Sequence, residues 1–224
     1  MTPPGQRKSL SLVHRVRFPV DAAAGQPPLV VLLHGIGSNE LAMASLASSF
    51  DSRCIVISPR APVTLESFSF AWFHMTFTDE RPIVDLDEVE MARMRLGGFL
   101  DEAVAAYGAD PERVFVAGFS QGCVPAFSVL LKNPDLVAGV VGMSGWLPTD
   151  LLEGAVLARR SDKAVLIVHG RGDETLGVPL GRDAYEALRT RFADVELLEF
   201  EMGHTTTPES IGAVAAWLSP RLDR

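Results

Sequence analysis

The stretch "RVFVAGFSQGC", Arg113–Cys123, decides the reading of this chain. An apolar run, Val114 to Ala117, stops at Gly118, and Ser120 follows between two glycines. Gly118-Phe119-Ser120-Gln121-Gly122 fits G-x-S-x-G, and a helical pattern comes directly after it. Between a strand and a helix, that pentapeptide reads as a nucleophile elbow. The serine is held in a strained backbone conformation, and the flanking chains pass so close that side chains at the glycines would clash. The following helix points unpaired N–H groups at the serine, which suits developing negative charge. The competing reading is a glycine-rich turn kept only for tight packing, and the pentapeptide alone does not separate the two.

Similar apolar runs recur on both sides. "LVVLLHG" (29–35), "CIVISP" (54–59), "LVAGVVGMSG" (136–145) and "AVLIVHG" (164–170) read, like 113–118, as strands buried on both faces. "SLSLVHRVRF" (9–18) alternates weakly and suits an edge strand; "VELLEF" (195–200) is a last, more polar strand near an edge. In Asp85–Tyr107, Leu86, Val89, Leu96, Leu100, Val104 and Tyr107 recur at helical spacing, with Asp85 and Asp87 near the start where they favour the helix dipole. Gly97-Gly98 inside that helix costs about 1 kcal/mol per glycine relative to alanine, which close packing against another backbone would account for. Further helices are expected near 39–50, 121–132, 180–193 and 208–218. Strands alternating with helices imply an α/β fold with a mostly parallel central sheet and helices on both faces. No repeat, low-complexity tract or linker divides the chain, so residues 1–224 read as one domain. Residues 60–84 break the alternation. This aromatic-rich insertion fits neither period, and long irregular insertions in compact domains are often functional.

Bulk properties narrow the function. The 224 residues are 47% hydrophobic and 21% charged, as in ordinary globular proteins. With 20 basic and 28 acidic residues the net charge is −8, and no Lys/Arg block offers a nucleic-acid surface. The two cysteines, Cys54 and Cys123, form no CxxC pair or disulfide framework. The first residues lack the apolar core of a signal peptide, and no apolar run approaches the roughly 20 residues that span a bilayer. A cytoplasmic protein without stable membrane insertion is the expectation.

A serine nucleophile needs a base and an orienting carboxylate, in the order serine, acid, histidine on this fold. Two histidines follow Ser120. His169 ends a buried strand before any good acid position; His204 follows the last strand in "FEMGHTTTP", just ahead of a helix, and is the base candidate. Asp173 directly follows a buried strand in "VLIVHGRGDETLGVP" and is the acid candidate, with Glu174 as fallback. Oxyanion donors are expected from the N–H of Gln121, next to the serine, and of Ile36 in "LLHGIGSNE" (32–40). His34 reads as a structural residue hydrogen-bonded to that loop. The aromatic stretch 68–77, with Trp72 and Phe73, is expected to wall an acyl site; its alternative roles are a core flap or a contact in a homodimer.

With "LLHGIGSNE", "SPRAP", "AWF", "GFSQG", "NPDLVAGVVGMSGWLP", "VHGRGDETLGVPL" and "GH" in hand, residues 29–204 resemble the phospholipase/carboxylesterase family of small α/β-hydrolases that includes acyl-protein thioesterases. The resemblance implies the same roles: Ser120 as nucleophile, Asp173 as acid, His204 as base, Ile36 and Gln121 as oxyanion donors. It also implies a serine carboxylesterase of short- to medium-chain acyl esters or thioesters, working through an acyl-enzyme with no metal or organic cofactor. Acyl-protein thioesterase and lysophospholipase activities use the same chemistry, and a catalytically idle binding protein is the non-enzymatic alternative. Four positions depart from the family pattern. Cys123 stands where "GFSQGG" has its last glycine, and Pro125 follows, which should kink the first helical turns. "AWFD" reads "AWFH", placing His74 where it would line the substrate site. A common glutamate after the base reads Thr205. Glu174 and Thr175 lie between the acid and "VP".

Overall fold

The computed structural model describes residues 9–20, 25–78, 81–153 and 161–223. Along the chain, β1 (His14–Arg17), β2 (Leu29–Leu33), α1 (Glu40–Ala44) and β3 (Ile55–Pro59) precede two short antiparallel pairs. These are β4 (Val63–Glu66) with β5 (Ser69–Ala71), and β6 (Met75–Thr76) with β7 (Ile83–Val84). Next come α2 (Leu86–Tyr107), β8 (Val114–Phe119), α3 (Cys123–Lys132), β9 (Gly139–Met143) and β10 (Ser161–Gly170). Then α4 (Val178–Arg189), β11 (Phe192–Phe200) and α5 (Pro208–Leu218) follow.

Seven strands form the central sheet in the order β1-β3-β2-β8-β9-β10-β11. Only β1, at one edge, runs antiparallel to its neighbour; β11 closes the other edge. The apolar runs are continuous because both faces of the sheet are covered. Leu29, Val31 and Leu33 of β2 pack with Val89, Phe99 and Phe127 of α2 and α3, while Val30 and Leu32 join Met43, Ile211 and Trp217 of α1 and α5. The period-2 alternation of a strand therefore feeds two cores at once.

Asp85 is the N-cap of α2 rather than its first residue, and accepts from the N–H groups of Asp87 and Glu88. The helix ends at Gly108, whose φ of 67° is the left-handed cap that glycine adopts freely. Of the interior glycines, Gly97 faces the Leu136 side chain, where an added Cβ would come within 3.2 Å; Gly98 meets nothing within 4 Å. Side-chain packing at one position, not backbone contact at both, is what the structure offers for this pair.

The insertion at 60–84 is more regular than its sequence suggests. β5 reaches the segment after β2: Gly37 N–H donates to Phe70 O at 2.9 Å, and Phe70 N–H to Ser38 O at 3.0 Å. Arg60 pairs with the buried Glu40 at 2.7 Å and lies over the Phe70 ring at 4.5 Å. The insertion is therefore stitched to the loop that follows β2.

Candidate active site

β8 delivers the chain to Ser120 at a point of close approach. A Cβ on Gly118 would run into the Gly122 carbonyl, and one on Gly122 would lie 2.7 Å from Leu33 O and 2.9 Å from His34 O. A side chain at Gly118 would push the end of β8 off the turn that follows Ser120, and one at Gly122 would push that turn off the end of β2. Ser120 itself has φ of 52°, a left-handed conformation that a non-glycine residue holds only when its surroundings impose it. A 3₁₀ turn over Ser120–Gly122 leads into α3.

That turn also settles the expectation for Pro125. The helix runs as α from Cys123 through to Lys132 with Pro125 as its third residue, so the proline is carried near the helix start without ending it. Cys123 is fully buried, its Sγ 3.2 Å from Gly118 O, and occupies the space that a side chain at Gly145 would need. Burial pushes its thiol up to about 12.

The structure brings the three side chains chosen from chain order into contact. Ser120 Oγ lies 2.9 Å from His204 Nε2, and His204 Nδ1 lies 2.8 Å from Asp173 Oδ2. The carboxylate fixes the tautomer: Nδ1–H donates to Asp173, leaving Nε2 as the acceptor facing the serine hydroxyl. The other oxygen, Asp173 Oδ1, accepts from the N–H groups of Thr175 at 3.0 Å and Leu176 at 2.8 Å. The neighbouring Glu174 is exposed and does not take this place.

His169 lies beneath this array, fully buried. Its Nε2–H donates to Leu176 O at 2.7 Å and sits 3.5 Å from Asp173 Oδ2, while its Nδ1 finds no partner. Burial lowers its affinity for a proton. His34 is equally buried; its Nε2 accepts from Ala61 N–H at 3.0 Å, so Nδ1–H donates to Gly35 O at 2.7 Å. Burial likewise lowers its affinity for a proton. One ring nitrogen is committed to the loop that follows β2 and the other to the chain just after β3.

Ile36 lines the cavity beside Ser120, and Gly35 packs against the serine, a Cβ there falling 3.1 Å from Ser120 Cβ. The amide of Gln121 belongs to the first helical turn, whose N–H groups lack intrahelical partners. Its side chain has a second task that sequence reasoning missed. Gln121 Oε1 accepts from Trp72 N–H at 2.9 Å and its Nε2 donates to Phe73 O at 2.7 Å.

The expectation that Trp72, Phe73 and His74 contact substrate is corrected. Trp72 and Phe73 are core residues, 1% and 0% exposed, and neither lines the cavity. Trp72 Nε1–H donates to His34 O at 2.9 Å, so Trp72 braces the loop beneath the site instead of walling it. His74 points to solvent and binds Glu88 of α2, its N–H at 2.6 Å and its ring at 3.0 Å. The wall comes from elsewhere. A cavity of about 460 Å³ opens over Ser120, with Ile36, Met43, Leu46, Phe77 and Phe119 as its apolar lining residues, Phe119 lying 5.2 Å from the His204 ring. Of the aromatic stretch only Phe77, half exposed, reaches it. Among the described residues no group of three or more His, Cys, Asp or Glu side chains is placed to hold a metal, and no helix is long and apolar enough to cross a membrane.

Comparison with known proteins gives this geometry a family context. The phospholipase/carboxylesterase family model matches residues 19–221. A probable inactive carboxylesterase of Oryza sativa subsp. japonica is 28% identical over 92% of this chain and 89% of its own length. Acyl-protein thioesterase 1 of Yarrowia lipolytica is 23% identical over 92% of this chain and 96% of its own. Among solved structures, the Bacillus cereus carboxylesterase superposes with a TM-score of 0.79 at 25% identity, covering 94% of each chain. The α/β-hydrolase architecture expected from the sequence is thus shared.

Proposed function

The chain belongs to the phospholipase/carboxylesterase family, and we propose that within it the protein is a serine carboxylesterase of short- to medium-chain acyl esters or thioesters. Hydrolysis of carboxylic esters follows from the family; the route and the substrate range are the proposal. The observation that carries it is the continuous hydrogen-bond chain from Asp173 through His204 to Ser120, ending on a strained elbow. The rice relative is named as a probable inactive carboxylesterase; the intact contacts here support turnover rather than an idle binding fold.

In this reading His204 Nε2 takes the proton of Ser120 as Oγ attacks the acyl carbonyl. Asp173 holds the imidazole in the tautomer that makes this possible and stabilises the imidazolium. The N–H groups of Ile36 and Gln121 receive the oxyanion, each worth about 3 kcal/mol to the transition state. The imidazolium then protonates the departing alcohol or thiol. Water activated by His204 hydrolyses the acyl-enzyme. Phe77, Met43 and Leu46 would take the acyl chain. Thioesters, lipidated proteins and lysophospholipids share this chemistry, and nothing in the cavity favours them over simple esters. Two free, buried cysteines suit a cytoplasmic, reducing setting.

The test is Ser120→Ala assayed on p-nitrophenyl butyrate, with an organophosphonate probe on the parent protein. Turnover should fall by at least about a thousandfold, and the parent should gain one adduct on the Ser120 peptide. Retained turnover, or labelling at another residue, would sink the assignment.

A further inference from the structure

We infer that the leaving group this cleft selects is an uncharged polyhydric alcohol, so that the preferred substrates are acyl esters of glycerol-like or sugar-like polyols; the inference rests on the hydrolase reading above. The cavity's sides differ in chemistry and in origin. The segment between β2 and the 3₁₀ turn at Ala47–Ser49 supplies Ile36, Met43 and Leu46. The segments that carry Asp173 and His204 supply Thr175, Thr205 and Thr206. Among the described residues no Lys, Arg, Asp or Glu lines the cavity. A phosphate, carboxylate or quaternary ammonium head group would find no counter-charge among them, and losing its water uncompensated is unfavourable.

Proton transfer indexes these threonines to the alcohol. His204 Nε2, 2.9 Å from Ser120 Oγ, must also reach the departing oxygen. The alcohol therefore leaves from the His204 side of the serine. Thr205 and Thr206 follow His204 directly in the chain. Thr175 is tied through its N–H, at 3.0 Å, to the same carboxylate that holds the imidazole. The three hydroxyls share one frame with the proton donor. Among the described residues no partner takes up the Thr175 or Thr206 hydroxyl, while that of Thr205 reaches Thr206 O at 3.3 Å. Across the cavity, the Ser45 hydroxyl is turned onto Ala42 O at 2.6 Å, and among the described residues no partner takes up that of Ser38. An alcohol bearing further hydroxyls beside the ester oxygen matches the His204 side; a plain alkyl alcohol leaves it unused.

A neutral hydrogen bond gained at an open rim is worth a factor of roughly three to ten, so two give a preference of about tenfold or more. The full chain is assayed on glyceryl monobutyrate, propyl butyrate and butyrylcholine. All three form the same butyryl-enzyme, so kcat/KM isolates the alcohol. The glyceryl ester should exceed the propyl ester by about tenfold, with the choline ester no better than propyl. Thr206→Val and Thr175→Val should each lower the glyceryl-to-propyl ratio by about threefold, and Thr206→Ser should keep it. A ratio near one in the parent, a preferred choline ester, or a ratio unmoved by both valine substitutions overturns the inference while leaving the hydrolase reading intact. Absence of turnover on all three, with no phosphonate adduct on Ser120, removes the hydrolase reading and this inference with it.

Discussion

Replacing Gln121 by leucine tests how the site is held up. Leucine is close in size to glutamine but satisfies neither Trp72 N–H nor Phe73 O, both of which bond to the Gln121 amide in a region closed to water. Each orphaned backbone group costs about 1–3 kcal/mol, partly offset because the apolar side chain is easier to bury than the amide. A net loss of about 3 kcal/mol is expected. For a chain of this size that lowers Tm by about 6–12 °C, measured by circular dichroism or calorimetry. Activity should fall too, although the Gln121 backbone N–H is untouched. Trp72 holds His34 O at 2.9 Å, next to Gly35 and Ile36, so a loosened Trp72 lets the oxyanion loop drift. Misplacement on the ångström scale costs up to about a hundredfold in rate. The variant should therefore lose between about tenfold and a hundredfold in kcat on p-nitrophenyl butyrate. A Tm within about 2 °C of the parent with kcat within about twofold would refute the bracing role.

Three further outcomes follow from the packing. Phe77→Ala should shift the acyl chain-length optimum in a p-nitrophenyl ester series without changing Tm by more than about 2 °C, whereas Trp72→Ala should destabilise by about 3–5 kcal/mol; the opposite pattern would restore Trp72 to the acyl wall. Burial raises both thiols to about 12, so neither Cys54 nor Cys123 should react with iodoacetamide in the folded state, and both should once the chain is unfolded; rapid native labelling would contradict the packing of the elbow. The hydrogen bond from Arg60 holds the Glu40 carboxyl below its ordinary 4.5. The unfolded chain therefore binds more protons near that pH, so this pair stabilises the fold above about pH 4.5, and its contribution is lost as pH falls further. The Tm deficit of Glu40→Gln should be largest near pH 6 and shrink toward pH 3; a deficit independent of pH would remove the ionic component.

The fold was legible because five apolar runs end in turns and a two-faced sheet needs such runs. Element ends were less so. β11 begins at Phe192, three residues before the expected start, because Phe192 pairs with Ser161 and Asp194 with Ala164 of β10 across a register shift. The candidate triad could be located because chain order and strand ends constrain each member separately. Trp72 and Phe73 could not be placed that way. Their partners Gln121 and His34 lie 49 and 38 residues off in sequence, and aromatic residues without a period suit a core and a binding wall equally well. The residues that do line the cavity, such as Met43, Leu46 and Phe119, carry no local signal distinguishing a wall from a core.

The two buried histidines carry a spectroscopic consequence. His34 bears its proton on Nδ1 and His169 on Nε2, each directed at a backbone carbonyl at 2.7 Å. One sits under the loop that follows β2, the other under the turn from Asp173 to Leu176. Nitrogen-15 shifts of the rings would separate the two tautomers, and their slowly exchanging protons would give two low-field resonances. Loosening of either half of the cleft would then broaden one signal and spare the other, so the motions of the two sides can be timed separately in a single unmodified protein.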